Sequence, residues 1–285
     1  MKTLILRITL VFIAIAQFVA GLLYMFFPGM LAKLLGLPET PQWSYWVFAL
    51  FGARCLGYAV GMILAIRDPL KYRAWIITMI GVQAIDWIAT LVFIGAGALT
   101  VAQAPLSVFM PVVFIVLLLV TMPRNGTEVP STPISVEAAK TQRTPMRTLI
   151  LRITLVVIAI AQFVAGLLYM FFPGMLAESL GLPETPQWSY WVFALFGARC
   201  LGYAVGMILA VRDPLKYRAW IITMIGVQAI DWIATLVYIG SGALTVAQAP
   251  LSVFMPVVFI VLLLVTMPRN GTETPSTPTE LPAKV

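Results

Sequence analysis

The sequence predicts an all-α membrane protein made of two parallel tandem four-helix transmembrane bundles, with eight transmembrane helices in total. Three observations support this fold class. Hydrophobic residues make up 61% of the 285 residues and charged residues only 10%, and the mean hydropathy of +0.99 lies well above that of soluble domains. The apolar stretches are continuous and do not alternate with a period of two, which favours helices over a closed barrel. The first half of the chain also recurs in the second half.

The internal repeat relates residues 1–133 to residues 146–278 at an offset of 145 positions. The two copies differ at eight positions, namely Lys2/Arg147, Phe12/Val157, Lys33/Glu178, Leu34/Ser179, Ile66/Val211, Phe93/Tyr238, Ala96/Ser241 and Val129/Thr274. With so few differences, identity between the copies does not identify the residues that matter for function. Candidate sites therefore follow from residue chemistry and from depth in the membrane.

Each copy contains four apolar runs, which in the first copy cover residues 4–27, 43–66, 75–94 and 105–122. Each run is close to the ~20 residues that a helix needs to cross ~30 Å of hydrocarbon. Residues between and after the two sets of spans are rich in Pro, Ser, Thr and charge, which is typical of disorder. The predicted domains are a four-helix unit at 1–122, a disordered cytoplasmic linker at 123–145, a second four-helix unit at 146–267 and a disordered cytoplasmic tail at 268–285.

The basic residues indicate how the spans are oriented. One side of the first copy holds Lys33 alone, and the other side holds Lys2, Arg7, Arg67, Lys71, Arg73 and Arg124. By the positive-inside rule, both termini are cytoplasmic, and we expect a multi-pass protein of the bacterial inner (plasma) membrane. An even number of spans per copy makes the two copies parallel, which excludes an inverted repeat. On the opposite side, Pro28 and Gly36 bound a predicted short helix in the membrane interface.

Two opposite charges fall at the same depth in neighbouring spans. Arg54 lies eleven residues after Trp43 and Asp86 lies eleven residues after Trp75, which places each charge ~16 Å into its span. An unpaired charge at this depth costs between ~3 and more than 10 kcal/mol, depending on the reference state. The sequence therefore predicts an ion pair between Arg54 and Asp86, and a second pair between Arg199 and Asp231 in the other copy.

Further polar side chains fall at the same depth, so each copy is expected to have one buried polar layer. In addition to the charges, the layer contains Gln17, Tyr58 and Gln83 in the first copy and Gln162, Tyr203 and Gln228 in the second. Either the layer is a hydrogen-bonded plug that fixes the helix register, or it is a site for a solute or a proton. Arginine keeps its charge at any relevant pH, so in a working site it serves as a counter-ion or an anion anchor.

The second span of each copy carries small residues four positions apart, which allow helix backbones to approach closely. This helix-packing face consists of Ala53, Gly57 and Gly61 in the first copy and Ala198, Gly202 and Gly206 in the second. We expect the face to serve packing within one four-helix unit. The alternative is that it joins the two units.

Several function classes are excluded or disfavoured by what the sequence lacks. Histidine is absent and the two cysteines fall one in each copy, so no metal site or cofactor is expected. The basic residues lie at the ends of apolar runs, which disfavours nucleic-acid binding. The sequence has no nucleophile paired with a base and no phosphate loop, so we expect no enzyme.

The expected function is that of a non-enzymatic scaffold or accessory subunit of a membrane complex. Its partners would be the lipid bilayer, other membrane protein subunits, or the other repeat. A transporter or channel for a small solute or ion, acting through the buried polar layer, is the alternative. A lipid-handling enzyme is a third hypothesis, but the sequence offers few polar groups at the headgroup level.

The segment FPGMLAKLLGL, followed by ARCLGYAVGMILAIRDPLKYR and by a helix with a central acid, resembles a large group of uncharacterised bacterial four-span membrane proteins. The resemblance covers the four spans of each copy and depends on Arg54-x-x-Gly57 and on the Asp68-Pro69 turn. It implies a four-helix unit and no particular activity. The Ala-Arg-x-x-Gly motif also has a more distant similarity to sterol-pathway scaffold proteins of the endoplasmic reticulum. The tandem fusion departs from the single-unit pattern.

Overall fold

The computed structural model describes residues 2–38, 40–122, 145–183 and 185–267, and every regular element in these ranges is helical. The first repeat contains α1 (Lys2–Phe26), α2 (Pro28–Leu34), α3 (Ser44–Arg67), α4 (Arg73–Gly95) and α5 (Pro105–Thr121). The second contains α6 (Pro145–Phe171), α7 (Pro173–Ser179), α8 (Ser189–Arg212), α9 (Arg218–Gly240) and α10 (Pro250–Thr266), with a 3-10 turn at Val246–Gln248.

Six helices in the described ranges are long and apolar enough to cross a membrane, namely α1, α3, α4, α6, α8 and α9. The chain is therefore an integral, multi-pass membrane protein. The fourth helices of the two repeats, α5 and α10, are apolar but have 17 residues each, which gives a length of ~26 Å. The predicted linker and tail lie outside the described residues, except Pro145, at which α6 begins.

The helix ends follow local chemistry. Proline occupies the first positions of α2 and α5, where its missing N–H costs no hydrogen bond. Gly36, after α2, has a φ of 62°, which glycine adopts without steric cost. In the turn after α3, the carboxylate of Asp68 accepts a 3.0 Å hydrogen bond from the backbone N–H of Lys71. The short helix predicted between the first two spans is thus confirmed as α2.

The two ends of the protein differ in charge. We call the end at which α1 and α4 begin the basic end, because Lys2, Arg7, Arg67 and Lys71 lie there. The opposite end carries α2 and α7, and we call it the short-helix end. One apolar cluster lies toward each end, and both repeats contribute to both clusters. The polar layer lies between them.

Helices α3 and α8 form the centre of the molecule and are buried along most of their length. The outer helix α1 packs closely along α3, where Gly21 meets Gly52. A Cβ added to Gly52 would lie 2.6 Å from the carbonyl oxygen of Gly21. The same contact, between Gly166 and Gly197, joins α6 to α8. Small residues at these crossings allow the backbones to approach to this distance.

The two repeats are interleaved and do not form two separate four-helix bundles. Helix α4 packs mainly against α5 of its own repeat and α8 of the other, and α9 packs likewise against α10 and α3. Within one repeat, α3 and α4 touch chiefly where Trp75 covers Gly61, next to the connecting turn. The indole rings of Trp75 and Trp220 stack at 3.6 Å with an angle of 2° between their planes. This stack joins α4 and α9 across the two-fold axis that relates the repeats.

The buried core contains only positions at which the repeats are identical. Seven of the eight differences fall in described residues, and none of the fourteen side chains involved is buried. The buried part of the interface between the repeats is therefore built from identical side chains, whereas two differing pairs, Ile66/Val211 and Phe93/Tyr238, are partly buried against it. In the described ranges, the differences between the repeats lie on the lipid-facing surface, in the loops and at partly buried positions.

Candidate functional site

The buried charges form two ion pairs, and both pairs cross between the repeats. Nη1 of Arg54 lies 2.8 and 3.1 Å from the two carboxylate oxygens of Asp231. Nη1 of Arg199 lies 2.8 and 3.0 Å from those of Asp86. All four side chains are at least nine-tenths buried. The polar layer is thus a single layer shared by both repeats.

The predicted pairs, Arg54 with Asp86 and Arg199 with Asp231, are wrong in their partners. The expectation that each charge has an opposite charge at its own depth is correct. Depth alone does not distinguish Asp86 from Asp231, because parallel repeats around a two-fold axis place both carboxylates at the same level. Since α4 leaves α3 after the turn and packs on α8, the carboxylate on α4 reaches the arginine of the other repeat.

Each arginine is further held by its own helix and by the other repeat. Nη1 of Arg54 donates to the carbonyl oxygen of Leu50, one turn earlier, at 3.2 Å. The guanidinium carbon lies 4.3 Å from the ring centroid of Phe196 on α8. Arg199 lies 4.2 Å from Phe51 in the same way. A cation over an aromatic face in a dry environment contributes roughly 2 kcal/mol, so these contacts add to the cohesion between the repeats.

A tryptophan and a threonine extend the polar layer. The indole N–H of Trp46 donates to the hydroxyl of Thr235 at 2.9 Å, and this hydroxyl donates to the carbonyl oxygen of Asp231 at 2.8 Å. Trp191 and Thr90 form the matching hydrogen bond at 3.0 Å. The residue chemistry and depth that identified the polar layer did not include Trp46, so this contact was not predicted. The only signal was the spacing of four residues from Asp86 to Thr90, which places both on one helix stripe.

The glutamines of the layer have unused hydrogen-bonding capacity. Gln17 and Gln162 are each 6% exposed, and no described residue donates a hydrogen bond to the carboxamide oxygen of either. Gln83 and Gln228 bond only to methionine sulfur in the described part of the chain, at 3.6 and 3.7 Å. Thioether sulfur is a weak acceptor. The structure therefore confirms that all four glutamines are buried, but it does not join them into a hydrogen-bonded plug.

Tyr58 and Tyr203 lie in an aromatic cluster on the two-fold axis and do not join the ion pairs. Their ring centroids are 5.2 Å apart, edge to face, and both rings contact the stacked Trp75 and Trp220. Both tyrosines are fully buried, and neither hydroxyl has a hydrogen-bond partner among the described residues. The two tyrosines therefore join the repeats mainly by packing.

The helix-packing face of small residues joins both the repeats and the helices within a repeat. A Cβ on Gly57 would overlap the hydroxyl of Tyr203, and a Cβ on Gly202 would overlap that of Tyr58. Gly61 and Gly206 instead receive the indole rings of Trp75 and Trp220, from their own repeats. Ala53 and Ala198 are fully buried. The expected role, packing within one repeat, is therefore correct for Gly61 and Gly206. Gly57 and Gly202 instead form the contact between the repeats.

A cavity of about 350 Å³ reaches one of the two ion pairs. Its polar lining includes Arg54, Asp231, Gln162 and Gln228, together with Gln248 and Ser252, and most of the remaining wall is apolar. Helix α3 of the first repeat and helices α6, α8, α9 and α10 of the second contribute side chains, and Leu176 of α7 lies at its short-helix end. The cavity brings four of the predicted site residues together in one accessible space.

The cavity opens between α6 and α10. Its rim includes Val164 and Leu251, which are 47% and 72% exposed on the apolar outer surface. Pro256 and Ser252 of α10 also line it. Proline has no N–H, so the carbonyl oxygen of Ser252 lacks the donor that an uninterrupted helix would supply. The Ser252 carbonyl thus has no intrahelical donor from position 256, and Ser252 belongs to the cavity lining.

The side chains present limit the chemistry of this site. Among the described residues, no group of three or more His, Cys, Asp or Glu side chains could hold a metal ion. The wall supplies one neutralised charge pair, three carboxamides and a largely apolar surface. These groups can bind and orient a molecule.

Comparison with known protein families, with curated proteins and with solved structures found no match to this chain.

Proposed function

We propose that this protein binds a small, mostly apolar molecule within the membrane, in the cavity beside the Arg54–Asp231 pair. The observation that carries the proposal is the cavity of about 350 Å³, which reaches from the outer surface to the buried polar layer. A structural plug would fill this space and satisfy its polar groups. Ligand cavities in proteins have volumes of roughly 300 to 1,000 Å³ and mostly apolar walls with a few polar groups.

The charge balance of the wall favours a neutral ligand. The charge on Arg54 is offset by Asp231 at 2.8 Å, so an anion would compete with a carboxylate that is already in place. A cation would be repelled by the guanidinium. The polar end of the ligand is therefore uncharged, and a hydroxyl group fits best because it both donates and accepts hydrogen bonds. The carboxamide of Gln162, by rotating, can present either its oxygen or its N–H group to that hydroxyl.

Access is lateral, from the hydrocarbon region. The rim residues Val164 and Leu251 are apolar and exposed, so a molecule dissolved in the bilayer meets the opening without crossing water. The two-fold relation implies a second, equivalent site. By the equivalence of the repeats, its polar groups would be Gln17, Gln83 and the Arg199–Asp86 pair. Each site needs side chains from both repeats, which accounts for the presence of two copies in one chain.

A neutral, mostly apolar ligand distinguishes this proposal from a channel for ions. Transport of a small solute would be an extension of the same binding site. The second candidate is a non-enzymatic scaffold or accessory subunit of a membrane complex. It is favoured by the use of both ion pairs to hold the repeats together, which leaves no free charge in the described layer for chemistry. Affinity purification from native membranes tests it, because a scaffold retains a stoichiometric protein partner.

The orientation proposed from the basic residues is that both termini face the cytoplasm of a bacterial cell, with eight helices crossing the inner membrane. The short α5 and α10 would then span by local thinning of the bilayer. Reporter fusions to the C-terminus and to the loop between α4 and α5 test this orientation. An active cytoplasmic reporter at the loop would contradict it.

The binding experiment uses the purified protein in detergent with dodecanol as the probe. Dodecanol should raise the melting temperature, because a ligand that binds only the folded state stabilises it by about 2.7 kcal/mol at a hundred times its Kd. Filling both sites with the variant Ala20→Phe/Ala165→Phe should remove this shift. Gln17→Leu/Gln162→Leu should weaken the effect of dodecanol and leave the smaller effect of dodecane unchanged.

The matched control is Ile15→Phe/Ile160→Phe, which adds the same rings on the same helices at positions 57% and 58% exposed to lipid. This variant should respond to dodecanol like the unmodified protein. Dodecanoate measures the effect of charge and should stabilise less than dodecanol. If the filled variant keeps the full shift, or if dodecanoate acts as strongly as dodecanol, the probe acts on the micelle and the proposal fails.

A further inference from the structure

A second cavity, of about 740 Å³, lies at the basic end of the first repeat, away from the polar layer. It is bounded by the start of α1, the turn after α3 and the end of α5. Three cations line it, namely Lys2, Arg7 and Arg67. Three positive side chains around one space attract an anion, and basic pockets between transmembrane helices are typical binding sites for lipid headgroups.

One carboxylate also lines this cavity, and it has a structural role. Asp68 accepts the backbone N–H of Lys71 at 3.0 Å and thereby closes the turn between α3 and α4. The cations therefore exceed the carboxylate by two charges. The first turn of α1 adds to the attraction, because Lys2 and Thr3 line the cavity and the backbone N–H groups of a helix start carry partial positive charge.

The remaining wall is apolar and continues onto the lipid-facing surface. Leu119 and Val120 of α5 are 55% and 64% exposed, and Leu70 is 60% exposed. A ligand with an anionic head and a hydrocarbon tail can therefore place its head among the cations and its tail along α5. A free anion would use only the basic part of the site.

We propose that this cavity binds the phosphate group of an anionic phospholipid, with the acyl chains lying along α5. The proposal does not depend on the function proposed for the cavity at the Arg54–Asp231 pair. The second repeat carries matching cations, Arg147, Arg152 and Arg212, so two lipids bind to each chain.

The experiment counts tightly bound lipids by native mass spectrometry of the delipidated full-length protein with phosphatidylglycerol or phosphatidylethanolamine. The unmodified protein should bind phosphatidylglycerol more tightly. The variant Arg7→Gln/Arg67→Gln should lose one of the two tight sites. Each cation near an anionic lipid contributes about fivefold to affinity, so the loss at that site should be about 25-fold. Arg7→Lys/Arg67→Lys keeps the charge and should keep the binding.

The matched control is Lys71→Gln/Lys216→Gln, which removes two charges from exposed positions at the same end but outside the cavity. It should retain both tight lipids. A thermal melt of each variant establishes that it is folded before the lipids are counted. If the control loses binding as much as Arg7→Gln/Arg67→Gln, or if phosphatidylethanolamine binds equally tightly, general surface charge explains the result and the proposal is overturned.

Competition with inorganic phosphate shows whether the ligand is a phospholipid headgroup or free phosphate. If excess phosphate leaves the bound phosphatidylglycerol in place, the acyl chains contribute and the lipid is the ligand. If phosphate displaces the lipid and raises the melting temperature in a way that Arg7→Gln/Arg67→Gln abolishes, the site is an anion site for free phosphate, and the lipid proposal is overturned.

Discussion

Replacing Arg54 with leucine leaves the carboxylate of Asp231 buried without a counter-ion. At the observed separation of 2.8 Å, the attraction between the two charges is ~6 kcal/mol with an effective dielectric constant of about 20. Removing one member of a buried pair costs about 3–5 kcal/mol in practice, because the protein relaxes around the remaining charge. We expect Arg54→Leu to lower the free energy of unfolding by this amount.

The second substitution identifies the partner. Arg54→Leu/Asp231→Leu should recover most of the loss, since replacing a whole buried pair by apolar residues is often close to neutral. Arg54→Leu/Asp86→Leu should instead be the least stable variant, because Asp231 and Arg199 are then both unpaired, and the loss should reach about 6–10 kcal/mol. Asp86→Leu alone also breaks one pair, so its loss of unfolding free energy should be similar to that of Arg54→Leu.

The assay is reversible unfolding in mixed micelles with increasing sodium dodecyl sulfate, followed by circular dichroism. The control is the mirror cycle with Arg199→Leu, which Asp86→Leu should rescue and Asp231→Leu should not. If Asp86→Leu rescues Arg54→Leu and Asp231→Leu fails to do so, the pairs lie within the repeats and the interleaved arrangement is refuted.

Three further predictions concern the contact between the repeats. Gly57→Ala should cost about 1–3 kcal/mol, mainly by overlap with the Tyr203 hydroxyl. Tyr203→Phe should recover only part of this loss, because the added Cβ would still lie 2.9 Å from a methyl group of Val227. Gly81→Ala, which faces open space, should not destabilise, and equal losses at both glycines in thermal melts would contradict this reason. The stacked Trp75 and Trp220 should give an exciton-coupled band pair in circular dichroism, and Trp75→Phe should remove it; a band pair that survives this substitution would place the rings apart. Separate chains for residues 1–133 and 134–285 should copurify when expressed together, because each half carries the counter-charges of the other; recovery of each half as a stable monomer would contradict the crossed pairs.

Much of the fold could be predicted because lipid imposes strong constraints on sequence. The apolar runs correspond to helices within a few residues, and Pro28 and Gly36 correctly bound the short helix α2. The depth of Arg54 and Asp86 was also predictable, because rise per residue converts sequence position into height. Height is a property of a single helix and depends little on its neighbours.

The lateral arrangement could not be predicted, because it depends on which helices touch. Asp86 and Asp231 are equivalent in sequence and in height, so no pattern in one chain distinguishes them as partners for Arg54. The choice is made by side-chain shape at the crossings, where Trp75 fits Gly61 and Tyr203 fits Gly57. For the same reason the role of Trp46 was missed, since its partner Thr235 is on the other repeat.

The crossed ion pairs also affect the order in which contacts can form during synthesis of the chain. Arg54 and Asp231 are 177 residues apart in the chain, and at synthesis rates of about 5–20 residues per second the second charge emerges roughly 9–35 s after the first. During that interval Arg54 and Asp86, at equal height in the newly inserted first repeat, are the nearest counter-ions for each other. We therefore expect Arg54 and Asp86 to pair first, and this provisional pair to open as the second repeat arrives. A nascent chain stalled after the first repeat should therefore contain the pair that the finished protein lacks.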